Sequence, residues 1–167
     1  MITSKIRKIL VSDNDLAIRQ ALFSTLSAHG FRVVVTSKGE EALEAVATRK
    51  FDSLLLDVSM PLMDGIEASR RIRSLDGGLP VIMLSVLDNA EQVVRALEAG
   101  TDDYVTKPFD FRELIARLRS AVRRRKLLNS PDEVITCNEL ELDVARRTPT
   151  KRGQPIHLTP KEFDLLN

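Results

Sequence analysis

The chain has 167 residues, room for one ordinary domain of about 100–150 residues and part of another, but not for two of that size. A formal net charge of +1, with 43% hydrophobic and 29% charged residues, is that of a globular chain and argues against the whole molecule being an electrostatic binder of nucleic acid or membrane. The single cysteine, Cys137, excludes an intrachain disulfide and fits a reducing compartment.

From the N-terminus, Met1 to Lys5 is too polar for a signal peptide, and no apolar run reaches the ~20 residues of a membrane span. The expectation is a soluble, cytoplasmic protein with no membrane partner. Short apolar runs then alternate with longer amphipathic stretches. The runs are Ile9-Leu10-Val11, Phe31 to Val35, Leu54-Leu55-Leu56, Val81 to Leu84, and Tyr104-Val105. Several are apolar at consecutive positions, which predicts strands buried on both faces of a parallel sheet. Between them lie helical patterns. In the last one, Phe111, Leu114, Ile115, Leu118 and Val122 share one helix face. Gly30, Gly39, Gly65, Gly77-Gly78 and Gly100 separate the units. Five β-α units predict a doubly wound α/β sandwich over residues 5–125.

Past Arg123-Arg124-Arg125-Lys126 the pattern changes. Residues 126–132 read as a linker, and 133–167 as a small antiparallel sheet followed by a helix start. Val134-Ile135, Leu140 to Asp143 and Pro155 to Leu158 are its candidate strands, with a turn over Lys151 to Gln154. Thr159-Pro160-Lys161-Glu162 forms a capping box, and Phe163, Leu165 and Leu166 open an apolar helix face.

In open α/β sheets, ligands bind beyond the carboxyl ends of the strands. The first strand ends before Asp13-Asn14-Asp15, the third at Asp57, the fourth at Ser85, and the fifth at Thr106 before Lys107-Pro108. Carboxylates, a hydroxyl and an ammonium in one cleft suit phosphoryl transfer. Carboxylate oxygens hold Mg²⁺, a carboxylate can accept a phosphoryl group, and an ammonium neutralises its oxygens. Taken singly, each residue has a plainer reading. Asp15 is a better helix N-cap than ligand, Asp13 can be a cap, Ser85 a strand-end hydroxyl and Lys107 a solvated charge. Asp57 is the exception, because an unpaired charge behind three leucines is costly.

The segments Ile9 to Asp15, Leu54 to Gly65, Ile82 to Ser85 and Asp102 to Phe109 together resemble the signature of response-regulator receiver domains. The resemblance spans about residues 5–125 and implies the flavodoxin-like (CheY-like) five-stranded parallel sheet. Residues 133–167 resemble the start of the winged-helix DNA-binding domain of the OmpR/PhoB family, incomplete before its recognition helix. The resemblance implies a two-component response regulator rather than an enzyme. Asp57 is then the phosphoacceptor, served by a sensor histidine kinase. Mg²⁺ is held by Asp13, Asp57 and the Ser59 carbonyl. Ser85 is the switch hydroxyl, Tyr104 the aromatic switch, and Lys107 the phosphoryl contact, with Lys107-Pro108 cis. Homodimers form through the fourth helix, fifth strand and fifth helix, where the charges are Asp102, Asp103, Glu113, Arg117 and Arg124. Asp102 pairs with Arg117 and Asp103 with Arg124. DNA is reached only through the missing remainder of the winged helix.

The sequence departs from that family at three places. Asn14 stands where a second acid usually binds the metal, and offers a neutral oxygen instead. A unit charge about 4 Å away is worth at most ~4 kcal/mol at an effective dielectric of about 20, so Mg²⁺ affinity is expected to be weakened. Val86 replaces a small residue beside Ser85. Val93 replaces the basic mate of Glu113. Two other readings compete. Asn14 favours a phosphorylation-independent interaction module. Asp13-Asn14-Asp15 also resembles the Asp-x-Asp of haloacid-dehalogenase-type phosphatases, with Asp13 as nucleophile and Asp15 as acid, but that leaves Asp57 and Lys107 unexplained.

Overall fold

The computed structural model describes residues 7–86, 89–129, 134–137, 140–143, 148–151 and 154–155. The chain divides into two compact units, Met1–Arg125 and Lys126–Asn167. In the first, strands and helices alternate: β1 Lys8–Ser12, α1 Leu16–Ala28, β2 Arg32–Thr36, α2 Gly39–Thr48, β3 Ser53–Asp57, α3 Gly65–Leu75, β4 Val81–Ser85, α4 Ala90–Glu98, β5 Asp103–Thr106 and α5 Phe111–Asn129, which runs past Arg125 so that residues 126–129 of the predicted linker are helical. All five strands run parallel in the order β2-β1-β3-β4-β5. This is the doubly wound sheet that the alternation predicts.

The consecutive leucines of β3 show why the fold needs two layers of helix. Successive side chains on a strand point to opposite faces. Leu54 and Leu56 enter one core with Ala42, Val46, Ile66, Ile72 and Ala96 from α2, α3 and α4. Leu55 enters the other with Leu22, Leu26, Leu114, Leu118 and Val122 from α1 and α5. Burying a leucine side chain contributes about 1.5–3 kcal/mol, so exposing either face would be costly. The predicted face of α5 is the one that packs, with Phe111 at its margin.

Helix starts are set locally. The Asp15 side chain accepts hydrogen bonds from the Ala17 and Ile18 N–H groups, Asp64 accepts from Glu67, and Asn89 from Gln92. Each cap fixes where its helix leaves the strand-end loop. Gly65 lets α3 begin against β3, because a Cβ there would lie 2.2 Å from the Asp57 carbonyl oxygen.

In the second unit, β6 Val134–Cys137, β7 Leu140–Asp143, β8 Thr148–Lys151 and β9 Gln154–Pro155 form an antiparallel sheet in that order. Lys151 pairs with Gln154, where the sequence predicts a turn. β8 is not among the strands that the residue pattern predicts, although the resemblance to the winged-helix start implies a four-stranded sheet here. Its Pro149, opposite Leu142, removes a backbone donor and the alternation signal together. Residues 156–158 of the predicted last strand lie outside the described residues, as do Thr159 to Glu162 and the helix face beyond them. Among the described residues no helix is long and apolar enough to cross a membrane.

Candidate active site

Strand register assembles the cleft. Ser12 pairs with Leu56, so Asp13 and Asp57 each stand one residue beyond that pair. Asp57 pairs with Leu84, which puts Ser85 one step further on the next strand. Ser85 pairs with Thr106, and Lys107 follows. Four predicted residues from four strands thus reach the same end of the sheet. The Lys107-Pro108 peptide is cis.

Lys107 joins the two acids. Its Nζ donates to Asp13 Oδ2 at 2.6 Å and to Asp57 Oδ1 at 3.0 Å. Asp13 and Asp57 are buried, only 0% and 2% exposed, and Lys107 is half-buried over them. Asp13 is anchored further. Its N–H donates to the Thr36 carbonyl, its Oδ1 accepts from the Asp15 N–H at 2.9 Å, and its carbonyl accepts from Arg19 Nη1 at 2.6 Å. The Lys107 N–H donates to the Ser85 carbonyl at 2.6 Å, so β4 and β5 hold the ammonium's backbone in place.

Two ionised carboxylates facing one ammonium give this triad a formal charge of −1. The titration behaviour follows from burial first and from these partners second. Burial raises the Asp57 pKa above its ordinary 3.8, the Asp13 charge adds to the rise, and Lys107 only partly offsets it. Burial works to lower the Lys107 pKa, but its bonds to Asp13 and Asp57 outweigh that and raise it above 10.5. Asp57 Oδ2 is buried without a hydrogen-bond partner. A carboxylate oxygen left so needs compensation, which a bound cation would supply. Among the described residues no three His, Cys, Asp or Glu side chains converge on one point. Mg²⁺ does not require that, since it is commonly bound by one or two carboxylates and retains several waters. The donor set of Asp13 and Asp57 fits such an ion. Asn14 and Ser59 are both exposed at the edge of the cleft.

Residues 9–119 match the family described as response regulator receiver domain. The chain is 43% identical over 162 residues to response regulator MprA of Mycobacterium ulcerans, covering 95% of this chain and 70% of that protein. It is 41% identical over 160 residues to the DNA-binding response regulator MtrA of Mycolicibacterium smegmatis, covering 96% and 69%. This chain is a response regulator of the OmpR/PhoB type. Among solved structures, the regulator is similar to DrrB of Thermotoga maritima, an OmpR/PhoB homologue. The TM-score is 0.66 and the identity 34%, over 96% of this chain and 70% of that one. It is also similar to the receiver domain of the sensor histidine kinase PA1611 from Pseudomonas aeruginosa, whose structure has magnesium in its active-site cleft. There the TM-score is 0.67 at 27% identity, over 71% and 98% of the two chains.

The remaining predicted residues of the regulator lie as follows. Ser85 is buried at the end of β4, and Tyr104 is half-buried on β5 against the core beneath α4. Asp15 Oδ1 serves the cap of α1, the plainer of the two readings of that residue. On the face of β5 and α5, Arg117 Nη1 binds both oxygens of Asp103 and its Nη2 binds Glu113. The sequence reading paired Arg117 with Asp102 across two protomers. Within one protomer Asp102 is committed elsewhere, because its Oδ2 accepts from Arg73 Nη2 and from the Val81 N–H. The cause is local. Asp102 precedes β5 beside the start of β4, where Val81 presents an N–H and the last turn of α3 carries Arg73. Arg124 is exposed on α5. Sequence spacing gave no sign of the Arg19 and Arg73 contacts, since each joins separate parts of the fold through a backbone carbonyl or a distant acid.

Proposed function

We propose that this response regulator accepts a phosphoryl group on Asp57 from the phosphohistidine of a sensor histidine kinase. The observation that carries the reading is the buried Asp13–Lys107–Asp57 cluster, with its negative excess and an Asp57 oxygen left unpaired. An Asp57 carboxylate oxygen attacks phosphorus and forms an acyl phosphate as the bond from phosphorus to the donor nitrogen breaks. The nitrogen leaves with the electron pair. Lys107 exchanges part of its bond to Asp57 for the incoming phosphoryl oxygens, where its charge is preorganised. Ser85, one residue beyond the Asp57 partner on β4, donates to the same oxygens. Tyr104, against the core beneath α4, follows that movement.

Asp13, Asp57 and the Ser59 carbonyl are the groups that would hold Mg²⁺, with Asn14 offering only a neutral oxygen. When bound, the ion supplies charge neutralisation at the phosphoryl oxygens. The missing acid at Asn14 weakens that binding, and Val86, 64% exposed beside Ser85, slows the approach of the donor. The reading places the protein in the cytoplasm, acting as a switch and not turning over a substrate.

The readout is self-association followed by transcriptional control. The face built from α4, β5 and α5 presents Asp103, Glu113, Arg117 and Arg124 with exposed Val94 and Leu97. Asp102 joins it only if Arg73 releases it. The second unit, similar in sequence to DNA-binding regulators, belongs to a winged-helix domain that reaches DNA through its recognition helix. The test is treatment with a small phosphodonor, with and without Mg²⁺, followed by intact-mass and sizing measurements on wild type and Asp57→Ala. One phosphoryl adduct that needs Mg²⁺ and Asp57 is expected, with a shift towards dimer. An equal adduct on Asp57→Ala would remove the assignment, and an unlabelled but dimeric wild type would favour the phosphorylation-independent module.

A further inference from the structure

Arg19, on the second turn of α1, is half-buried and has no place in the cluster described above. Its Nη1 nevertheless donates to the Asp13 carbonyl at 2.6 Å. The other attachments of Asp13 divide into two sets. Thr36 holds its N–H, and the Asp15 N–H and Lys107 hold its two carboxylate oxygens. Arg19 alone among these holds the peptide plane between Asp13 and Asn14. That plane is bonded to the Cα that carries the Asp13 carboxylate and leads directly into Asn14, so a shift in it displaces both residues.

The clamp is well supported at its other end. The Arg19 N–H donates to the Asp15 carbonyl at 3.0 Å, and Asp15 caps α1. Guanidinium and cap therefore belong to the same end of α1, and both bond to Asp13. A charge-assisted bond this short is about twice as strong as a neutral one. Its target, a carbonyl beside a buried acid, is also unlike the solvated position most surface arginines occupy.

We propose that Arg19 is a positioning residue for cation binding: by clamping the Asp13 carbonyl it keeps the Asp13 carboxylate aligned with Asp57. This rests on the reading that Asp13 and Asp57 hold a divalent cation. Mg²⁺ demands near-ideal octahedral geometry, so a rotated ligand is poorly tolerated. Outer hydrogen-bond partners of metal ligands commonly change affinity by about 10–100-fold. With Asn14 in place of a charged ligand, a larger share of the affinity falls on Asp13. The opposing effect is repulsion between the guanidinium and the ion, so the two mechanisms predict opposite signs.

The experiment uses the whole chain as wild type, Arg19→Gln and Arg19→Lys. Apparent Mg²⁺ affinity is read from the Mg²⁺-dependent rise in melting temperature. In parallel, the Mg²⁺ dependence of labelling by acetyl phosphate is separated into half-saturation and maximal rate. Arg19→Gln is expected to weaken Mg²⁺ binding by roughly tenfold or more in both assays, with the maximal labelling rate changed far less. It should also speed amide exchange at Asp15 in the absence of Mg²⁺. Affinity unchanged within about twofold, or tighter binding, overturns the proposal even if the variant melts lower, because a mere staple from helix to strand predicts that pattern. If Arg19→Gln does not fold, Arg19→Lys, which keeps the charge but not the fork, answers by the same readings. A wild-type protein whose melting temperature ignores Mg²⁺ would instead remove the cation reading itself, and this inference with it.

Discussion

Replacing Lys107 by alanine tests the electrostatics of the cleft directly. Its Nζ lies 2.6 Å from Asp13 and 3.0 Å from Asp57, and the three side chains are 10%, 0% and 3% exposed. At an effective dielectric of about 20, each attraction is worth roughly 6 kcal/mol before desolvation is subtracted. The net loss on removing one partner of a buried pair is smaller, about 3–5 kcal/mol, because it leaves an uncompensated charge in the interior. That is a large part of the ~5–15 kcal/mol that holds a typical domain together. The loss must also depend on pH. Without Lys107 the largest influence holding the Asp57 pKa down is gone, so an already raised value rises further. A group raised in the folded state keeps its stability contribution below the unfolded pKa, and loses it as pH climbs through the folded one. The destabilisation of Lys107→Ala should therefore be greatest near neutrality and shrink on acidification, by up to ~1.4 kcal/mol per pH unit while one proton is being taken up. Urea unfolding followed by circular dichroism from about pH 5 to pH 8 reads this, and m-values check that the unfolded surface is unchanged. Adding Asp13→Asn to the variant should restore much of the loss, since a single carboxylate then remains. A deficit under about 1 kcal/mol, or one that does not change with pH, would refute the picture of a net-negative buried triad.

Asn14→Asp restores an acidic oxygen beside Asp13 and should tighten Mg²⁺ binding by about tenfold or more, within a bound of ~4 kcal/mol, as read by thermal shift. Equal affinities would show that Asn14 is not limiting. Gly65→Ala puts a Cβ 2.2 Å from the Asp57 carbonyl oxygen, where real contacts stay above 3.0 Å, so backbone must move by at least 3.0 − 2.2 = 0.8 Å. Such overpacking costs about 1–3 kcal/mol, and a displaced Asp57 should lose labelling by roughly 100-fold; a wild-type rate and melting temperature would contradict the contact. Leu62 sits at φ 70 in a γ-turn closed by the Met63 N–H on the Pro61 carbonyl, and is 89% exposed. Relief of about 1–2 kcal/mol of backbone strain, less the entropy of a glycine, predicts that Leu62→Gly stabilises by roughly 0.5–1 kcal/mol in urea titration. A lower midpoint would mean that the side chain is held by contacts.

Much of the fold was legible in the residues because local physics decides it. Leu54 to Leu56 had to be covered on both sides, the face of α5 repeats with helical period, and Asp15 is chemically a cap. β8 was not legible in its own residues, since Pro149 erases the pattern that marks a strand, and only the resemblance implied a fourth strand. The candidate site was legible only as strand-end positions. Asp13, Asp57, Ser85 and Lys107 could be assigned to one cleft because parallel strands in a doubly wound sheet end together.

By itself, then, the sequence determined the alternation of strands and helices, the burial of the sheet, and the residue types at the strand ends. Tertiary structure alone decided which of those residues touch. Lys107 meets Asp13 across a separation of 94 positions, and their contact depends on the register of β1, β3, β4 and β5. The same holds for Asp102, which meets Arg73 from the last turn of α3, and for Arg19, whose guanidinium reaches back from α1 to the Asp13 carbonyl. Periodicity records which face of an element is buried. It carries no record of the distances between elements, and those distances fix the charge, the titration and the cation fit of this cleft.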